Sequence, residues 1–198
     1  MASAVVDVGV WSLISWQATF YERVFDLPSS TYAPLLAAII PAAGILGGVG
    51  GGMLGDRLAR VNRRAIVTAG CTCLAGPALA ASLLSPSADA SFAALFVGMA
   101  LSEAWRANAA VIVRTVSPPH ARSTATAAWL TTRNVTAAVG PLSVAALSGP
   151  LGLRHAMLLA PAAFVLGGLA FWWTEACVQR DYGYGGYGKE GTDRDNRA

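Results

Sequence analysis

Glu103, Arg106 and Arg133 fall inside apolar stretches long enough to cross a bilayer. An ionisable group at such a depth costs roughly 3 kcal/mol on insertion scales, so it turns toward a cavity or a partner rather than lipid. Glu103 and Arg106 are three residues apart, which sets them on one face of a helix. There they either neutralise each other or serve a solute or a coupling proton. Arg133, followed by Asn134, has no acidic neighbour on its own segment, so it needs an anionic solute or Glu103 from across the bundle. Trp105 adjoins the pair and either walls the same space or simply packs. Asp7, Ser15 and Gln17 on the first segment can add polar groups to a common cavity. For Asp7, a position in water at the membrane boundary is the expectation. Glu103, Arg106, Arg133 and Asn134 are therefore the candidates for a substrate or proton pathway.

A second concentration of charge runs Gly52-Met53-Leu54-Gly55-Asp56-Arg57-Leu58-Ala59-Arg60, then Val61-Asn62-Arg63-Arg64. It joins two long apolar segments. One Asp and four Arg cannot sit in hydrocarbon, so this is a short loop at a membrane surface.

Other chemistries find little support. His120 and His155 are predicted in loops on opposite sides of the membrane, with no Ser, Cys or carboxylate pair beside them. An enzyme is not expected, and neither is a cofactor. Cys71 and Cys73 are two apart on a helix and point to nearly opposite faces, which argues against a shared metal or a disulfide. Residues 50–55 match G-x-G-x-x-G, but they end an apolar helix and no acidic residue follows between Asp56 and Asp89 to hold a ribose. Asn134-Val135-Thr136 has the form of a glycosylation acceptor, yet it lies within a predicted span.

The elements that must position these residues follow from composition. The chain has 198 residues, 55% apolar and 13% charged, with mean hydropathy +0.50. A soluble domain carries about 25% charged residues. Six spans of the length a bilayer requires are read at about 4–21, 31–54, 65–84, 91–113, 123–147 and 156–173. The fold class is an all-α membrane bundle over residues 1–176. The tail 177–198, Gly- and Tyr-rich and then charged, cannot bury enough apolar surface to order itself. Gly44, Gly48 and Gly52 recur every four residues and offer one face for close approach of a neighbouring backbone.

Lys and Arg fix an orientation. Arg57, Arg60, Arg63, Arg64, Arg114, Arg122, Arg180, Lys189, Arg194 and Arg197 gather on one side, against Arg23 and Arg154 on the other. The positive side is cytoplasmic, which puts both termini there.

The charged loop resembles the signature of the major facilitator superfamily, Gly-x-Leu-x-Asp-Arg-x-Gly-Arg-Arg. Asp56, Arg57 and Arg60 match it, Ala59 stands where Gly is usual, and Val61-Asn62 separates Arg63 and Arg64 from the rest. The resemblance implies one half of a twelve-helix transporter, working by alternating access around a midplane site. It also implies that Gly52, Asp56, Arg57, Arg60, Arg63 and Arg64 form a conformational latch, the Asp engaging Arg and the positive end of a helix in the opposite half.

The tail after the sixth span and the short start before the first favour the carboxyl-terminal half. So does a second resemblance. Ala100-Leu101-Ser102-Glu103-Ala104-Trp105, through Ser117-Pro118-Pro119-His120-Ala121-Arg122-Ser123-Thr124-Ala125, is similar to the tenth span and following loop of spinster-like transporters. That subgroup is associated with lipid and lysolipid export. The implied function is secondary transport of a small organic or lipid-like solute. The implied partners are membrane lipid, that solute, and the missing six-helix half or a second copy; nucleic acid is not among them. The competing reading is a non-transporting bundle that pairs with and regulates a full-length transporter, using small-residue faces on the second and fifth spans.

Overall fold

Backbone N–H and C=O groups find no partner in hydrocarbon, so apolar runs of this length close their hydrogen bonds internally as helices. The computed structural model describes residues 1–59 and 64–182, and among them every regular element is helical. The order is α1 (Ala2–Val24), α2 (Ser29–Ala59), α3 (Arg64–Leu84), α4 (Ala88–Val116), α5 (Arg122–Ala137), α6 (Val139–Leu151), α7 (Leu153–Ala156) and α8 (Leu159–Tyr182). A 3-10 turn, Pro119–Ala121, joins α4 to α5.

Three stretches among the described residues are long and apolar enough to cross a membrane by length and composition: Ser29–Leu58, Ile66–Leu84 and Leu153–Thr174. The other elements miss that standard for visible reasons. α1 carries Asp7, Glu22 and Arg23, and α4 carries Asp89, Glu103, Arg106 and Arg114. α5 and α6, with 16 and 13 residues, are each shorter than the roughly 20 a span requires.

Where one helix was expected over 123–147, the structure has two, parted at Ala138. Pro141 accounts for the break: it has no N–H for the carbonyl of Ala137, four residues back, and its ring crowds that carbonyl. The last expected helix also differs. Gly152, at φ 76°, ends α6, and the short α7 precedes α8, which runs to Tyr182. Residues 177–182, expected in a disordered tail, are thus helical, and the remainder of that tail lies outside the described residues.

α3 lies between α4 and α8, α2 lies on α4, and α1 runs along α8, α5 and α6. The α2–α4 contact rests on glycine, but on a different set from the one expected. Gly44, Gly48 and Gly52 have open space where a side chain would be. It is Gly47, Gly51 and Gly55 that meet Ala100, Ala104 and Asn108 of α4, where an added Cβ would collide. Both sets repeat every four residues, so the two helices mesh small residue against small residue. Asn108 Nδ2 fastens the seam by donating to Gly51 O and Ala104 O, each at 3.0 Å.

The opposite end is closed by aromatic rings. Tyr21 stacks on Phe92 with centroids 4.1 Å apart, and its hydroxyl meets Ser91 Oγ at 3.0 Å. Ser82 Oγ donates to Ser91 O at 2.8 Å, so α1, α3 and α4 share one buried polar knot. By contrast α2 buries little of its apolar surface, leaving Ile45, Leu46, Val49, Met53 and Leu54 outward-facing.

Candidate functional site

Ser3 and Asp7 are one turn apart on α1, and Trp129 and Arg133 are one turn apart on α5. Residues four apart share a helix face, and the two helices lie in parallel, so the pairs meet in register. Trp129 Nε1 donates to Ser3 Oγ at 3.1 Å. One turn on, Arg133 grips Asp7 with two hydrogen bonds: Nη2 to Oδ1 at 3.0 Å, and Nε to Oδ2. This fork-to-carboxylate arrangement is the strong form of the interaction. Asp7 is 2% exposed and Arg133 9%.

The guanidinium is also sandwiched between indoles. Its carbon lies 4.5 Å from the centroid of Trp129 and 4.8 Å from that of Trp105. A cation over an indole face is held by the ring quadrupole, most strongly where water is excluded.

Trp105, fully buried on α4, is shared by a second pair. Arg106 Cζ lies 5.7 Å from its centroid, and Arg106 Nε is 2.6 Å from Glu103 Oε2. The Nε–H does not point along that line, so the contact is an ion pair without a hydrogen bond. Arg106 is considerably more open than Arg133, with 37% of its side chain exposed. Trp105 Nε1 has no partner among the described residues, nor do the two polar atoms of Gln17, buried on α1. Two opposite-charge pairs thus flank one indole, one sealed and one reachable, and their formal charges cancel.

The structure revises several sequence expectations. Asp7 is not in water at the boundary; the neighbouring α5 covers it. Arg133 takes its countercharge from Asp7 and not from Glu103, which is occupied by Arg106 on its own helix. Asn134 is exposed, away from the buried Arg133. Ser15 is exposed as well, while Gln17 is buried. Trp105 is fully buried, with Arg133 over its ring and Arg106 beside it. The missed partner carried a signal: the i, i+4 spacing of Ser3 and Asp7 matches that of Trp129 and Arg133.

The charged loop stands apart from this cluster in sequence. Asp56 and Arg57 are exposed in the last turn of α2, and Gly52 has open space beside it. Arg64 opens α3. Arg60 and Arg63 lie outside the described residues.

A family model described as Major Facilitator Superfamily matches residues 1–141. No curated protein matches. Among solved structures, the chain is similar to a bacterial homologue of the human lysosomal transporter Spinster in an inward-facing, occupied conformation. The TM-score is 0.76 at 20% identity, covering 89% of this chain and 47% of that one. The inward-facing, unoccupied conformation of such a homologue gives 0.74 at 19% identity, covering 91% and 47%. The chain therefore spans under half the length of these structures, and what it shares with them is the fold.

Proposed function

The chain belongs to the major facilitator superfamily, and from that premise we propose that it is the six-span carboxyl-terminal half of a secondary active transporter. Its solute is a small organic or lipid-like molecule, moved by alternating access as two halves rock about a midplane site. The observation that carries this reading is the pair of carboxylate–arginine couples around buried Trp105, inside an otherwise apolar bundle. Charges so placed serve a solute or ion path more readily than they serve stability, because a buried ion pair contributes little net over apolar packing. Glu103 and Arg106 form the reachable couple, and Arg133 with Asp7 backs it. The outward face of α5, with Ser123, Thr124, Thr131 and Asn134 exposed, fits the wall of an aqueous path.

The outward apolar face of α2 takes the second half, or a second copy. Asp56 and Arg57, with Arg60, Arg63 and Arg64, form the cytoplasmic latch between halves. Ten basic residues against two put both termini on the cytoplasmic side.

The test is flux. The protein, purified from native membranes and reconstituted in vesicles, is offered labelled amphipathic anions, a lysolipid included, with and without a pH gradient. Uptake by the wild type that responds to the gradient, and a response lost in Glu103→Gln, is the expected result. If the gradient drives uptake equally in both, Glu103 carries no coupling proton. If no solute moves and a larger membrane protein co-purifies, the chain is a regulator of that protein.

A further inference from the structure

We propose that α5 is a hinged arm and that Asp7 is the positioning residue that docks it. The proposal deepens the transporter reading and rests on it for its consequence, though not for its test.

α5 is poorly anchored for a helix of 16 residues: Arg133 and Ala137 are the residues it buries. The hydroxyls of Thr126, Thr132 and Thr136 bond to carbonyls of α5 itself, four residues back, and fasten nothing else. What ties the helix to the body is the cluster already described. Arg133 grips Asp7, and Trp129 donates to Ser3.

α6 is held by a separate set. Gly140 lies so close to Val8 O and Ser12 Oγ that a Cβ would not fit, Trp16 Nε1 donates to Pro141 O at 3.1 Å, and Val144 is fully buried. Between the two anchors the helix is already interrupted at Ala138, whose N–H turns to Thr136 O. The carbonyl of Ala137 has lost its ordinary partner to Pro141. Bending there breaks no further helical bond at that carbonyl.

The residues preceding Ala138 can therefore leave α1 while α6 stays in place, and the Asp7 carboxylate opposes that movement. With Arg133 released, the side of α5 that carries Ser123, Thr124, Thr131 and Asn134 changes its distance from α4, and with it the width of the path it lines.

Cysteine accessibility tests this without any transported solute. Cys71, Cys73 and Cys177 are first replaced by Ala. Ala137→Cys then reports on the docked face of α5, and Val144→Cys on α6. Both sites are buried and should react slowly with N-ethylmaleimide in reconstituted protein. Asp7→Asn should speed labelling at 137 by about tenfold or more, since losing a charge-assisted hydrogen bond exceeds the threshold for a factor of ten. Position 144 should not change, and Asp7→Glu should keep both sites slow.

Slow labelling at 137 in Asp7→Asn would mean that packing, not the carboxylate, holds α5. Equal acceleration at 137 and 144 would mean that Asp7 holds the whole bundle, and equal acceleration in Asp7→Glu would exclude the carboxylate as the cause. Ser3→Ala supplies a second, uncharged perturbation: it removes only the acceptor of Trp129 and should speed 137 by about threefold, within the range of one neutral hydrogen bond. No change there would confine docking to less than the cluster proposed. Flux is measured separately, so a protein that docks α5 by Asp7 yet moves no solute defeats the transporter reading alone.

Discussion

Replacing Arg133 with Met is the sharpest test of how the buried cluster is built. The substitution keeps an unbranched side chain between Trp105 and Trp129 but removes the charge and both donors to Asp7. Asp7, 2% exposed, then holds a carboxylate with no countercharge. Breaking a buried pair from one side destabilises by about 3–5 kcal/mol, because the remaining charge stays out of water. Loss of two cation–π contacts adds roughly 1–2 kcal/mol each at a desolvated site. Both losses come from one side chain and do not add in full, so about 3–5 kcal/mol is the expected net. For a chain of this size each kcal/mol shifts Tm by roughly 2–4 °C, which predicts a fall of about 6–20 °C. The double variant Asp7→Leu with Arg133→Met removes both charges and fills the space with apolar atoms. Such replacements are neutral or stabilising, so most of the loss should return. The assay is the fraction surviving as a monodisperse peak in size-exclusion chromatography of detergent-solubilised protein after heating. If the double variant is as fragile as Arg133→Met, or more so, Asp7 is not the countercharge and the site has been misread.

Three further outcomes are expected. Gly51→Ala and Gly55→Ala drive a Cβ into Ala104 and Asn108 and should cost about 1–3 kcal/mol by overpacking, while Gly48→Ala, facing open space, should leave heat resistance unchanged or slightly raised. Asp56→Asn should slow transport severalfold without reducing the amount inserted; undiminished flux in vesicles removes the latch role. An immunoblot of native membranes with antibody against residues 181–198 should show a band about twice the 20.4 kDa of this chain, and a band at 20.4 kDa would make the half a product in its own right.

How far the sequence can be read depends on the range of the interaction that decides each feature. Helical runs are local: twenty apolar residues close their own hydrogen bonds wherever they lie, so the placement of α2, α3 and α8 in hydrophobic stretches is written in composition. The break at Ala138 was local too, and Gly140-Pro141 was its signal; reading the span by length alone passed over it. The glycine face was not decidable on α2 alone. Gly44, Gly48 and Gly52 repeat every four residues just as Gly47, Gly51 and Gly55 do, and only the matching series Ala100, Ala104 and Asn108 on α4 selects between them.

The Asp7–Arg133 pair is the most instructive case. The two residues are 126 apart, and nothing local to Arg133 names its partner. A buried arginine demands a countercharge, and that demand was legible. Glu103 looked available only because its own pairing with Arg106 could not be established from spacing. Once Arg106 takes Glu103, charge balance inside the bundle leaves Asp7 as the acid for Arg133, and the shared i, i+4 spacing of Ser3/Asp7 and Trp129/Arg133 then sets α1 and α5 side by side in parallel. A pattern that is ambiguous within one helix becomes specific when its complement is sought on another, and buried charge is where that search is most constrained.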